Sequence, residues 1–311
     1  MSTTPLFCST SSRQADEQLL GTATRADYWL ALEVPWAWGR KAFEQSDVPA
    51  SVKTRLNEVL SSKPNSRLQV IKKGSELSGD GVAFFVAVNH EEHPNLYEFR
   101  LSRYEDLLDL DIPGILAEKQ EYWQHDRKAP LFLVCTNGRR DPCCTKFGVP
   151  FFQEMQTVAG EDVWQTSHLG GHRFAATLVT LPHGVFYGYL SPADAQTIVD
   201  AQRAGSVHLP RFRGRSCYED QVQAAETFLR QQTGGLDLYR FKFIEMTPLT
   251  PTEWMFHFLD LHSQQTYCVQ VRSEPAPVEV LKSCGEEAPT RLTQFRLVDY
   301  AAYEDVEIKV G

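Results

Sequence analysis

The sequence predicts an α/β fold laid out in three consecutive stretches. Apolar runs of strand length alternate with segments whose apolar residues recur at helical spacing. The composition is that of an ordinary globular chain: 311 residues, 42% of them AVILMFWYC and 23% charged. At ~100–200 residues per domain the length suits two domains, with one or three also compatible.

The first stretch, residues 1–127, mixes strands and helices. Residues 28–34 read as a strand, and Val52, Leu56, Val59 and Leu60 fall at helical spacing within 51–60. Residues 68–71, 82–88 and 96–101 read as further strands. The stretch is expected to be an α/β region, a degenerate thioredoxin-like half being one form it could take. The Ser/Thr-rich first dozen residues read as a frayed terminus.

The second stretch, residues 128–210, opens on the apolar run Leu131-Phe132-Leu133-Val134, which delivers Cys135 at its carboxyl end. A polar loop leads to Cys143-Cys144, and a helix is expected from Lys146 or Val149 to Val158, with Phe151, Phe152 and Met155 on one face. Residues 163–167 are strand-like and run into His168. Strands at 176–181 and 185–190 flank the turn Pro182-His183-Gly184. Ser191, Pro192 and Asp194 then give the start signals of a helix that Gly205 stops. The order β-α-β-β-α is that of a thioredoxin-like fold.

In the third stretch, residues 211–311, Ser216 and Glu219 have capping-box spacing before Val222, Ala225, Phe228 and Leu229, and Gly234-Gly235 close the helix. Strand-like runs at 238–243, 254–259 and 266–271 complete a small α/β region. No repeat is evident in the sequence.

Charge and cysteine usage narrow the function classes. The net charge is −9 without any Lys/Arg block, which disfavours a nucleic-acid or anionic-membrane surface. The longest apolar run, residues 82–88, is far short of the ~20 needed to span a membrane. No secretory signal is visible, and seven unevenly spaced cysteines suit a reducing, cytoplasmic setting with mostly free thiols.

Cys135 and Cys144 flank an eight-residue loop, and His168 and His172 are separated by three. Each pair directly follows a strand-like run that can aim it, and Gly170-Gly171 would let the backbone pass close to a bulky centre. Thiolate with imidazole suits zinc or an iron–sulfur cluster. Buried, unliganded cysteines and a chance H-x3-H would produce the same spacing. Zinc remains an alternative, although its cysteines usually lie two to four apart, and Cys143 competes with Cys144 as ligand.

The stretches CTNGRRDPCC (135–144) and HLGGHRFA (168–175) resemble the sucrase/ferredoxin-like family, with looser likeness at Gly21-Thr22-Ala23, Trp38-Gly39-Arg40 and RGRSCY (213–218). Characterised fungal members are thioredoxin-like [2Fe–2S] proteins with two cysteine and two histidine ligands. The resemblance therefore implies a thioredoxin-like ferredoxin domain in the middle of the chain. It implies a [2Fe–2S] cluster on Cys135, Cys144, His168 and His172, and leaves Cys143 as a neighbouring buried thiol. It also implies an electron carrier with a redox partner protein that the sequence does not identify. Sucrase activity finds no support, since no carboxylate pair flanking a sugar site can be picked out.

Competing readings are a zinc-stabilised interaction module and, last, a thiol oxidoreductase, which lacks C-x-x-C. Arg139, Arg140 and Arg173 read either as a docking patch or as a solvated surface with a local Arg–Asp pair, the latter preferred. Arg213 and Arg215 read as surface arginines, and Cys8, Cys217, Cys268 and Cys284 have no usable spacing.

Overall fold

In the computed structural model, residues 7–303 are described. A short helix α1 (Cys8–Gln14) precedes β1 (Tyr28–Glu33). A parallel crossover follows through α2 (Ala50–Ser62) to β2 (Ser66–Lys72), then antiparallel β3 (Val82–Val88) and β4 (Asn95–Leu101), with α3 (Ile112–Leu116) beyond. The second unit runs β5 (Leu131–Cys135), α4 (Pro142–Ala159), β6 (Val163–Thr166), β7 (Leu178–Leu181), β8 (Val185–Tyr187) and α5 (Ala195–Arg203). β5 and β6 are parallel, while β7 and β8 are antiparallel, which is the thioredoxin-like order. β9 (Phe212–Arg215) adds an edge strand.

All nine strands form one sheet, ordered β4-β3-β1-β2-β6-β5-β7-β8-β9. The first four strands thus repeat the connectivity of β5 to β8, mirrored about the β2–β6 seam, although no repeat is visible in the sequence. The seam is short, pairing Ile71 with Thr166 and Lys72 with Gln165. Ser167 reinforces it, its N–H donating to Val70 O at 2.8 Å and its hydroxyl to Gln69 Oε1 at 2.9 Å.

The sheet curls on itself. β1 and β8 are five strands apart, ~24 Å if flat, yet the Trp29 and Phe186 rings lie 6.0 Å apart and Phe85 meets Trp164 at 5.7 Å. The inner faces of both units therefore share one core, including Ala31, Phe85, Leu131, Leu133 and Val179. The outer faces are covered separately, Phe84 and Val86 by α2 and α3, Phe132 and Val134 by α4 and α5. Burial on both faces explains why β3 and β5 read as unbroken apolar runs.

After β9, α6 (Asp220–Thr233) packs on a four-stranded antiparallel sheet, β10 (Phe241–Thr250), β11 (Glu253–Asp260), β12 (Thr266–Val280) and β13 (Thr290–Tyr303). Val222, Ala225 and Leu229 meet Phe256, Phe258 and Val269 there. β13 escapes sequence reading because its residues alternate between half-buried and exposed. No helix among the described residues is long and apolar enough to cross a membrane.

Several local expectations need correction. Ser216 does not cap α6: its hydroxyl bonds Asn89 and Ala26 O, and Glu219 is the N-cap residue. Cys8, Ser9 and Ser12 are buried in α1 rather than frayed, while residues 1–6 lie outside the described part. Arg213 and Arg215 are both buried. Arg215 and Arg230 each place a guanidinium nitrogen 2.9 Å from Glu226 Oε1, and burial of that carboxylate requires them.

Candidate metal centre

The centre is assembled from the carboxyl ends of β5 and β6 and the first turn of α4. Cys135 closes a fully buried strand, its N–H donating to Thr177 O at 3.0 Å. α4 starts earlier than its apolar pattern suggests. Asp141 is its N-cap, accepting from Cys143 N at 2.9 Å, and Pro142 takes the first helical position. Cys143 and Cys144 therefore lie in the first turn, and adjacent helix residues project about 100° apart. Cys144 faces Cys135, whereas Cys143 faces Cys8 and Cys284. One turn on, Gly148 lets α4 press on β5, since a Cβ there would stand 2.1 Å from Cys135 O.

His168 follows Ser167 directly, so the β2–β6 seam holds the backbone that presents it. The chain then turns through Gly170 (φ 102°) and Gly171 (φ 68°), a left-handed pair that side chains rarely adopt. Thr24 donates to Leu169 O at 2.9 Å, and Arg213 Nη1 to Gly170 O at 3.3 Å. Arg213 is wedged between Phe174 and Phe186, its guanidinium 4.9 and 5.4 Å from the two ring centres. Sequence reasoning misses Arg213 because its partners lie across the fold; the motif RGRSCY was the only signal.

Cys135 Sγ, Cys144 Sγ and a His168 ring nitrogen lie within 4.8 Å of one another. Cys144 Sγ is 4.0 Å from His168 Nδ1. His172 is not in that triad, but its ring centre is 5.0 Å from that of His168. Both His172 ring nitrogens are buried without a hydrogen-bond partner, and Nε2 is 3.6 Å from Asp141 Oδ2. Three of the four sequence-predicted residues thus meet, with the fourth beside them. Unpartnered buried imidazole nitrogens next to two thiols fit a soft metal or an iron–sulfur group.

The electrostatics follow from crowding. A hydrogen bond from Cys144 holds the Cys135 thiol well below its usual range against the opposing effect of burial, with His168 assisting. The same shared proton, with burial, pushes Cys144 well above its range. Burial lowers His172, and Asp141 works against that shift. Asp141 is not the surface residue expected of a solvated loop. Although burial opposes it, backbone N–H groups of Cys284 and Cys143 keep its carboxyl below the ordinary value.

Two openings reach the centre. His172 lines one with Arg40, Arg139, Arg140 and Lys282; His168 lines another with Lys41, Asn137 and Ser167. Arg173 belongs to neither opening and pairs with Glu17 at 2.7 Å.

The family model described as sucrase/ferredoxin-like matches residues 19–214. No curated protein matches the chain. Among solved structures, a thioredoxin-like [2Fe–2S] ferredoxin from Aquifex aeolicus is 18% identical, with a TM-score of 0.26, covering 29% of this chain and 94% of its own. A cysteine-to-serine variant of the Aquifex aeolicus ferredoxin is 20% identical, with a TM-score of 0.25, covering 27% and 96%. The family match takes in β1 to β8, the seam and all four sequence-predicted ligands, more than half of the chain, and the chain belongs to the sucrase/ferredoxin-like family.

Proposed function

We propose that the protein is a one-electron carrier in which Cys135, Cys144, His168 and His172 hold a [2Fe–2S] cluster. Residues 128–210 form the cluster-bearing unit in this reading, with 1–127 and 211–311 as flanking regions. The observation that carries it is the meeting of two sulfurs and a His168 nitrogen within 4.8 Å, beside an imidazole with no other partner. Family membership supports the same assignment.

Such a cluster supplies a reversible one-electron couple. The chain's own residues set its properties. Two neutral imidazoles in place of two thiolates remove negative charge, which favours the reduced state; potentials of about −150 to +300 mV against about −400 mV show the direction. The Asp141 carboxylate stands 3.6 Å from His172 Nε2, so its negative charge faces the ring from behind. Proton coupling in this reading would run through the ring nitrogen that the cluster leaves free on His172, beside the Asp141 carboxylate. Arg40, Arg139, Arg140 and Lys282 give one opening a basic rim that suits an acidic redox partner protein.

Anaerobic purification followed by iron, sulfide and zinc analysis tests the reading. Iron and sulfide in equal amounts, with visible absorption that dithionite bleaches, is the expected result. A colourless protein with zinc on these four residues refutes it. H168A and H172A are each expected to lose the absorption, which a thiol oxidoreductase would not need. A potential that stays flat with pH would remove the proton coupling and leave the cluster.

A further inference from the structure

A second convergence of sulfur lies outside this centre and uses cysteines with no informative spacing. Cys8 opens α1, Cys143 sits in the first turn of α4, and Cys284 lies in the loop after β12. Their sulfurs form a near-equilateral triangle, 3.5 Å from Cys8 to Cys143, 3.3 Å from Cys143 to Cys284 and 3.6 Å from Cys284 to Cys8. The Asp141 carboxylate faces it, with Oδ1 at 3.8 Å and Oδ2 at 4.0 Å from Cys8 Sγ. Backbone N–H groups point at the sulfurs as well, Cys8 N at Cys284 Sγ (3.4 Å) and Ser9 N at Cys143 Sγ (3.5 Å). Donors aimed at sulfur stabilise a thiolate more than a thiol.

We propose that Cys8, Cys143, Cys284 and Asp141 form a structural zinc site, separate from the cluster centre. Three thiolates and a carboxylate make a closed four-ligand set of the kind structural zinc takes, and soft sulfur selects against calcium and magnesium. A tetrahedron with Zn–S of about 2.3 Å has sulfur–sulfur edges of about 3.8 Å. The three edges here need to open by only a few tenths of an ångström. A disulfide, at about 2.05 Å, would require two sulfurs to close by more than ~1 Å and would leave the third thiol without a partner.

The site also answers a packing problem. The apolar cluster around these sulfurs is small, with Ala175 and Leu281 the other buried members, so little hydrophobic area holds α1 and the β12–β13 loop to α4. Ser9 Oγ donates to Ala175 O at 2.6 Å, on the segment that carries His172. An ion at the sulfur triangle therefore braces the segment beside the cluster centre, joining parts of the chain 276 residues apart.

The test is metal analysis and zinc-edge X-ray absorption on the full chain from zinc-containing medium. One zinc per chain is expected, with three sulfurs at about 2.3 Å and one oxygen, retained in an H168A/H172A double variant. C8S and C284S are expected to lose the zinc at least tenfold while keeping the visible absorption of the cluster. Absence of zinc from the wild-type chain overturns the proposal, as does a shell of two sulfurs and two nitrogens. So does a disulfide between any two of the three cysteines in freshly purified protein. If C8S does not fold, the absorption spectrum of the wild-type chain decides alone.

Discussion

Asp141 Oδ2 stands 3.6 Å from His172 Nε2, and the same carboxylate accepts the backbone N–H of Cys143 at 2.9 Å through its other oxygen. One buried carboxylate thus begins α4 and backs the histidine at the candidate cluster. D141A removes the cap and leaves the Cys143 and Cys284 N–H groups without an acceptor. It is expected to cost about 2–4 kcal/mol of stability, read by denaturant unfolding. D141N keeps an acceptor oxygen for only one of the two N–H groups, the Cys143 cap, and should cost less than D141A; equal losses would show that the cap is not what matters.

Cys143 and Cys144 are neighbours in sequence and face different groups. C144S is expected to abolish iron binding, whereas C143S should retain the visible absorption. Iron analysis and absorption spectra of the two variants check this. Equal loss in both would mean that the two cysteines serve one centre.

Gly148 permits the close contact between α4 and β5. G148A places a methyl 2.1 Å from Cys135 O, and only a shift of helix against strand relieves it. A destabilisation of about 1–3 kcal/mol is expected, with weaker iron retention because the shift moves Cys144 away from Cys135. A variant with wild-type stability and iron content would show that the contact is slack.

Glu226 is the shared partner of two buried arginines. E226Q leaves Arg215 and Arg230 without their countercharge and is expected to cost about 3–5 kcal/mol. Unfolding midpoints in denaturant report the loss, and the cluster absorption of the protein that remains folded should be unchanged.

His183 titrates far from the centre. Burial first, then Arg215, lowers its pKa to about 4, and its Nε2 meets the Tyr239 hydroxyl at 2.7 Å. With an unfolded pKa of about 6.5, the unfolded chain takes up the proton first as pH falls. The contribution of His183 is thus present above about pH 6.5, declines between about 6.5 and 4, and levels off below. The difference in Tm between wild type and H183Q should shrink across that window. A difference that is constant with pH would contradict the assignment.

Much of the fold was legible because its signals are local. Strand runs at 82–88 and 131–134, the capping box of Ser191 and Asp194, and the left-handed closure at Gly234 all depend on neighbours a few residues away, and all appear where expected. The first turn of α4 was not legible, because Pro142-Cys143-Cys144 carries no helical apolar pattern and the turn is set by the Asp141 cap. Arg213 and Arg215 read as surface residues because what buries them, Phe174, Phe186 and Glu226, comes from other elements.

By itself the sequence determined the α/β class, the order of the middle unit, and the pairing of Cys135 and Cys144 with His168 and His172 as ligand-type residues. Only the tertiary structure decided that the first four strands repeat the order of β5 to β8 across a seam. The same holds for Cys143 turning away from Cys144 to join Cys8 and Cys284. The reason is chain distance: periodicity and motif spacing record what a backbone does over a few turns. A triangle of sulfurs drawn from α1, α4 and the β12–β13 loop exists only once the sheet has curled and the ends of the chain have been brought to one place.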